Sequence, residues 1–135
     1  MSTFWADLAK RHHLQIIYAF GSRAREVAAL GADSRAILLE SASDVDTGVK
    51  PRPGCRLDPL EKVDIAQEIE DALSVPQVDL IVVPEVDPFL AANIIRGERL
   101  YCADKDAADE YDLYILRRAG DLIPLERERI ALIME

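Results

Sequence analysis

Cysteine is scarce in this chain: Cys55 and Cys102 are the only two. They stand alone, without metal-ligand spacing, and read as reduced thiols. The two histidines, His12 and His13, sit at a predicted helix end, where positive charge is favourable, and no Cys or Asp at ligand spacing lies nearby. No apolar stretch approaches the length of a membrane span, and the first residues lack a signal-peptide pattern. The expected setting is therefore cytoplasmic, with no membrane partner. Internal repeats, linkers and low-complexity tracts are absent. Cations are outnumbered, 16 Lys and Arg against 25 Asp and Glu, for a net charge of −9. That disfavours nonspecific nucleic-acid binding, which depends on Lys and Arg against phosphates. The acidity fits solubility, and also a basic protein partner. A nucleotide is still allowed, because bound Mg²⁺ reverses the local field.

Half of the 135 residues are hydrophobic, enough for one domain with one core. Ser2 or Thr3 can cap a first helix to about His13, with Phe4, Trp5, Leu8 and Ala9 as its apolar stripe. Leu14 to Phe20 reads as a strand. A second helix starts at Ser22 and breaks near Gly31, and Val45 to Lys50 is the next strand. Asp58 caps a helix that has Pro59 at its first position and runs to about Ser74. Leu60, Val63, Ile69 and Leu73 are its predicted core face. Val78 to Val83 is a third strand, Pro88 opens a helix ending near Gly97, and Arg99 to Ala103 is a short fourth strand. Two further helices are expected, Ala107 to Gly120 and Leu125 to Met134. Strands separated by helices predict an α/β layered (α+β) fold with a small mixed sheet flanked by helices.

The chemistry concentrates in three places. Gly21-Ser22 makes a turn after the first strand; the glycine lets backbone approach a phosphate, and exposed N–H groups can cradle it. Asp44 and Asp46 are two apart at the start of the second strand, which puts both carboxylates on one face about 6–7 Å apart. Such a pair repels itself unless a cation intervenes, and Mg²⁺ suits two carboxylates plus substrate phosphates. Asp79 is the one charge in the apolar run Gln77–Val83, costly to bury without a partner. If its strand lies beside that of Asp46, three aspartates converge and can hold two metal ions for in-line attack at phosphorus. Arg23 and Arg25 can neutralise phosphate or remain solvated on a helix surface. Lys50, Arg52 and Arg56 read as a solvated loop, with contact to a nucleotide or partner as the alternative. Tyr101, Tyr111 and Tyr114 read as core or interface residues rather than catalytic ones.

In order, Ala19-Phe20-Gly21-Ser22-Arg23-Ala24-Arg25, Ser43-Asp44-Val45-Asp46-Thr47-Gly48-Val49 and Val78-Asp79-Leu80 resemble the motifs of the minimal nucleotidyltransferases of the DNA polymerase β-like superfamily. Ile94 to Tyr101 and the helix after it are similar to the family's C-terminal part. The resemblance covers most of the chain. It implies the polymerase β-like nucleotidyltransferase fold over one domain, 1–135, with a C-terminal helical segment at 104–135. It also implies a family-atypical insertion at about 26–40. Twenty-one residues lie between Ser22 and Asp44, about twice the family's usual spacing, which a surface loop accommodates at modest entropic cost. The glycine usual after Arg-Ala-Arg is Glu26 here.

The resemblance implies that Gly21, Ser22 and Arg23 hold the triphosphate of ATP or another NTP. Asp44 and Asp46 carry Mg²⁺, two ions in all, and Asp79 binds the catalytic metal and helps activate an acceptor hydroxyl. The hydroxyl attacks the α-phosphorus and pyrophosphate leaves. Little of the chain remains to clamp an acceptor, so a separate protein is expected to present it. The resemblance points to a HEPN-type toxin whose tyrosine receives AMP, with this chain as the antitoxin. Two alternatives stand beside this: an antibiotic-type small-molecule nucleotidyltransferase, which predicts a homo-oligomer completing the pocket, and a non-catalytic antitoxin that acts by binding alone.

Overall fold

In the computed structural model, which describes residues 2–32 and 44–134, the described part of the chain alternates helix and strand. The order is α1 (Ser2–His12), β1 (Leu14–Phe20), α2 (Ala24–Ala32), β2 (Val45–Pro51), α3 (Pro59–Leu73), β3 (Val78–Val82), α4 (Pro88–Ile95), β4 (Glu98–Cys102) and α5 (Lys105–Met134), with a short 3₁₀ turn at Val83–Glu85. The strands form one sheet in the order β3-β2-β1-β4. β1 pairs antiparallel with β2 and with β4, while β2 pairs parallel with β3. This is the mixed, helix-flanked α+β sheet that the sequence predicts.

Alternation along β1 divides the core. Ile17 and Ala19 join Trp5 and Leu8 of α1, Val27 of α2, and Ile65, Ile69 and Leu73 of α3. Ile16, Tyr18 and Phe20 join Ala91, Ala92 and Ile94 of α4 and Ala108, Ile115 and Ala119 of α5. A strand covered on both faces needs a near-continuous apolar run, which Leu-Gln-Ile-Ile-Tyr-Ala-Phe supplies. Polar ties hold the layers. His12 of α1 places its Nδ1 3.1 Å from Glu61 and its Nε2 2.6 Å from Glu68, both on α3. On the other face, the Tyr18 hydroxyl donates to Asp112 Oδ1 at 2.6 Å. Arg99 of β4 donates to Asp112 Oδ2 at 2.7 Å and to Asp109 at 3.0 Å. Burial, with that hydrogen bond, pushes the Tyr18 hydroxyl far above the ordinary tyrosine pKa.

Several expectations need correction. Leu60 and Val63 do not face the core; they are 79% and 53% exposed. Ile65, Ile69 and Leu73, spaced by four, define the buried stripe. At 100° per residue Leu60 and Val63 lie about 140° and 160° away from Ile65 around the helix. α2 is described as far as Ala32, in keeping with the end expected near Gly31, but it starts at Ala24 rather than Ser22. The two C-terminal helices are one, Lys105–Met134, passing through Gly120 and Pro124. Those residues ordinarily cost about 1 and 3 kcal/mol in a helix interior, which is why the sequence predicts a break there. Of the expected insertion, 26–32 belongs to α2; the rest lies outside the described residues, as does Ser43. By contrast, the caps of α3 fall where the sequence puts them, with Asp58 accepting from Glu61 N–H at 2.8 Å.

Tyr18→Phe tests the tie between α5 and the sheet. It removes one buried hydrogen bond while Asp112 keeps Arg99. The expected cost is about 1–2 kcal/mol, read as a fall in Tm of several degrees by thermal melting.

Candidate active site

β1 ends at Phe20, and the chain leaves the sheet through Gly21 at φ +78°, a left-handed conformation that glycine adopts without strain. Ala24 N–H closes the turn onto Gly21 O at 3.3 Å, and the first helical bond of α2 runs from Val27 N–H to Arg23 O at 3.1 Å. Arg23, not Ser22, therefore stands at the cap position, and Ser22 is exposed on the turn. Arg23 is not a surface arginine. It is buried, 4% exposed, with a guanidinium nitrogen 3.4 Å from Glu26. Arg25 is exposed.

Sheet register brings the carboxylates together. Phe20 lies opposite Asp46 across the β1–β2 pair, and Asp46 lies opposite Asp79 across the β2–β3 pair. Residues in register share a face, so Asp46 and Asp79 stand side by side at the end of the sheet where the Gly21 turn departs. The turn presses against this pair, since a Cβ on Gly21 would overlap Asp46 Oδ2. Asp44 precedes β2 by one residue and is half-buried. Asp79 is exposed rather than buried, because β3 is an edge strand of the sheet. On the opposite face the buried Thr47 hydroxyl donates to the Asp79 carbonyl at 3.2 Å and fixes β3 against β2. Thr47 went unremarked in the sequence; only the parallel register reveals what its hydroxyl meets.

The electrostatics follow from this crowding. The Asp46 carboxyl is held above its ordinary pKa, first by burial, then by the charge of Asp79 and a hydrogen bond with it, and last by Asp44. Among the described residues, no group of three or more His, Cys, Asp or Glu is arranged to hold a metal ion. The convergence of three aspartates expected from the sequence is thus partial: Asp46 and Asp79 adjoin, and Asp44 acts on Asp46 as a charge. Two adjacent carboxylates beneath a glycine nonetheless fit Mg²⁺, which takes its remaining oxygens from water and substrate phosphates. Lys50, Arg52 and Arg56 lie at the other end of β2. Tyr101 is half-buried against the core, and the Lys50 ammonium sits 5.0 Å from the centre of the Tyr111 ring. Tyr114 is half exposed.

The fold that carries this Gly-Ser turn and these strand-borne aspartates is that of a nucleotidyltransferase. Residues 6–106 match the family described as Polymerase beta, Nucleotidyltransferase, and the chain belongs to that family. Solved structures share the fold. A mutant of the MntA-HpeT toxin-antitoxin aligns with a TM-score of 0.74 at 18% identity, covering 100% of this chain and 99% of that one. A toxin-antitoxin with AMP-PNP aligns at 0.73 and 19% identity, covering 99% and 98%. The complex of the tri-AMPylated Shewanella oneidensis HEPN toxin with its MNT antitoxin aligns at 0.69 and 18% identity, covering 99% and 96%. No curated protein matches the chain in sequence.

The raised Asp46 pKa predicts a stability profile. Asp46 binds its proton more tightly folded than unfolded, so its contribution is full below the ordinary carboxylate pKa and is lost as pH rises through the raised value. In chelator at neutral pH, Asp46→Asn should melt a few degrees above the wild type, and the gap should close below about pH 4. Thermal melts at both pH values check this.

Proposed function

We propose that this chain is a Mg²⁺-dependent protein adenylyltransferase that moves AMP from ATP to a tyrosine hydroxyl of a HEPN-type toxin, and so serves as the antitoxin of the pair. The observation that carries the reading is the Gly21 backbone lying directly over Asp46, with Asp79 in register beside it. A triphosphate entering there meets exposed backbone rather than a side chain, and the carboxylates lie within the same small space. The complexes that share the fold support the choice of nucleotide and partner: one contains AMP-PNP and another an AMPylated HEPN toxin.

In this reading Gly21 and Ser22 bind the triphosphate through backbone N–H groups and the Ser22 hydroxyl. Arg23, buried beneath the turn, contributes positive charge from below. Asp44, Asp46 and Asp79 would hold Mg²⁺, in two ions, which neutralises phosphate charge and lowers the pKa of the acceptor hydroxyl. Asp79, exposed on the edge strand, can meet an acceptor arriving from solvent and take its proton. The tyrosine oxygen then bonds to the α-phosphorus, the bond from that phosphorus to the bridging oxygen breaks, and pyrophosphate leaves with the electron pair. Positioning and charge supply the rate. The chain acts as one nucleotidyltransferase domain, and the toxin supplies the acceptor.

The test is label transfer from α-phosphate-labelled ATP to the co-purified toxin. Wild-type protein should label it, and Asp46→Asn or Asp79→Asn should lower the rate more than about 100-fold, beyond the usual effect of losing a group one step removed from a metal. Label on a small molecule instead would favour the antibiotic-type reading. Toxin neutralisation that survives Asp44→Asn/Asp46→Asn, with no label anywhere, would replace catalysis by occlusion.

A further inference from the structure

β2 carries charged residues at both of its ends. Lys50 shares a face with Asp46 four residues along the strand, roughly 13 Å away, and beyond it opens a cavity of about 420 Å³. The buried Pro51, Leu57 and Val82 give it apolar wall, and Lys50, Arg52 and Arg56 give it charge. Two backbone hydrogen bonds tie down the turn that carries Arg52 and leads into Arg56. Cys55 N–H donates to Arg52 O at 2.9 Å, and Arg52 N–H donates to His13 O at 2.9 Å. Pro53 and Gly54, the latter at φ +80°, occupy the centre of what is by pattern a type II turn.

The charges in this cavity are unequally committed. Glu85, its one acidic lining residue, is paired with Lys62 at 2.8 Å. Lys50 donates to Gln15 at 2.6 Å and to Pro51 O at 3.1 Å. Arg52 and Arg56 have no side-chain hydrogen bond or ion pair among the described residues, and both are exposed. Two guanidinium forks anchored on one turn match the oxygens of a phosphate. The molecule's net charge of −9 repels an extended polyanion, which disfavours nucleic acid as the occupant. The volume falls in the range of small-molecule pockets, and the proline and aliphatic walls suit an organic body attached to the charge.

We infer that this cavity is a second ligand site, separate from the aspartate pair, that binds a small phosphate-bearing organic anion of mononucleotide size through Arg52 and Arg56. The site does not depend on nucleotidyl transfer. Cys55, exposed in the cavity lining, reports its occupancy, and the half-buried Cys102 is the reference.

The experiment measures alkylation of Cys55 by iodoacetamide with and without millimolar AMP, and separately with inorganic phosphate. It is run on the wild type and on Asp46→Asn/Asp79→Asn, where the other site is disabled. AMP should slow Cys55 alkylation in both proteins and leave Cys102 unchanged. Arg52→Gln/Arg56→Gln should abolish the protection, and Arg52→Lys/Arg56→Lys should weaken AMP binding at least about tenfold, since charge without the fork is retained. Thermal melts of both variants should match the wild type, because neither side chain is buried. Phosphate should protect more weakly than AMP, because it does not fill the apolar wall. The inference is overturned by no protection from AMP in the wild type, by protection that persists in Arg52→Gln/Arg56→Gln, or by protection that appears only with a protein partner, which would make the turn a protein interface.

Discussion

Parallel pairing of β2 with β3 forces two carboxylates into register, and the arrangement of the site depends on that contact. Asp46 and Asp79 repel one another, and burial of Asp46 adds to the cost. The sheet imposes the proximity regardless. Val45 and Val78, Thr47 and Leu80, and Val49 and Val82 pair along the same ladder. Valines of both strands are buried under α3, and the Thr47 hydroxyl is fixed to the Asp79 carbonyl. A one-residue slip would turn all of these side chains to the wrong face. The packing of the sheet thus holds the two carboxylates in an unfavourable state that a cation would relieve.

The remaining elements keep the end of that sheet accessible while closing its faces. α1, α2 and α3 cover one face and α4 and α5 the other. The link between β4 and α5 through Arg99, Asp109 and Asp112, with Tyr18 beneath, secures the second layer by charged and buried hydrogen bonds. Gly21 then turns the chain out of the sheet against Asp46, where any larger residue would both clash and be strained. The acidic pair is consequently flanked by backbone on one side and by an open strand edge on the other.

Much of this was legible in the sequence. β1 is bounded by a change from apolar run to Gly-Ser, and α3 by Asp58-Pro59 and Ser74, signals that act through local backbone chemistry and need no tertiary information. The adjacency of Asp46 and Asp79 was legible as a condition, that their strands be neighbours, and the pairing meets it. What escaped was decided by rotation and long-range packing. Leu60 and Val63 are apolar but lie on the far side of α3, and the hydrophobic count alone does not tell the two sides apart. Arg23 reads as a surface residue by type and is buried in the folded chain, a consequence of packing that its residue type does not show. Asp79 reads either as a charge converging on a metal or as an edge-of-sheet residue facing water; it is exposed because its strand is the last in the described sheet, and strand order is what no local pattern encodes.

That edge position gives Asp79 an influence unrelated to chemistry on phosphates. An unpaired strand edge is a template onto which a strand of another molecule can add, and charged residues on edge strands are among the means by which proteins prevent it. β3 is short, and Asp79 places a negative charge near its start, beside a second negative charge on Asp46. An identical edge approaching it would bring like charges together. The carboxylate that crowds Asp46 therefore also sets a like-charge barrier against edge-to-edge pairing of two described sheets.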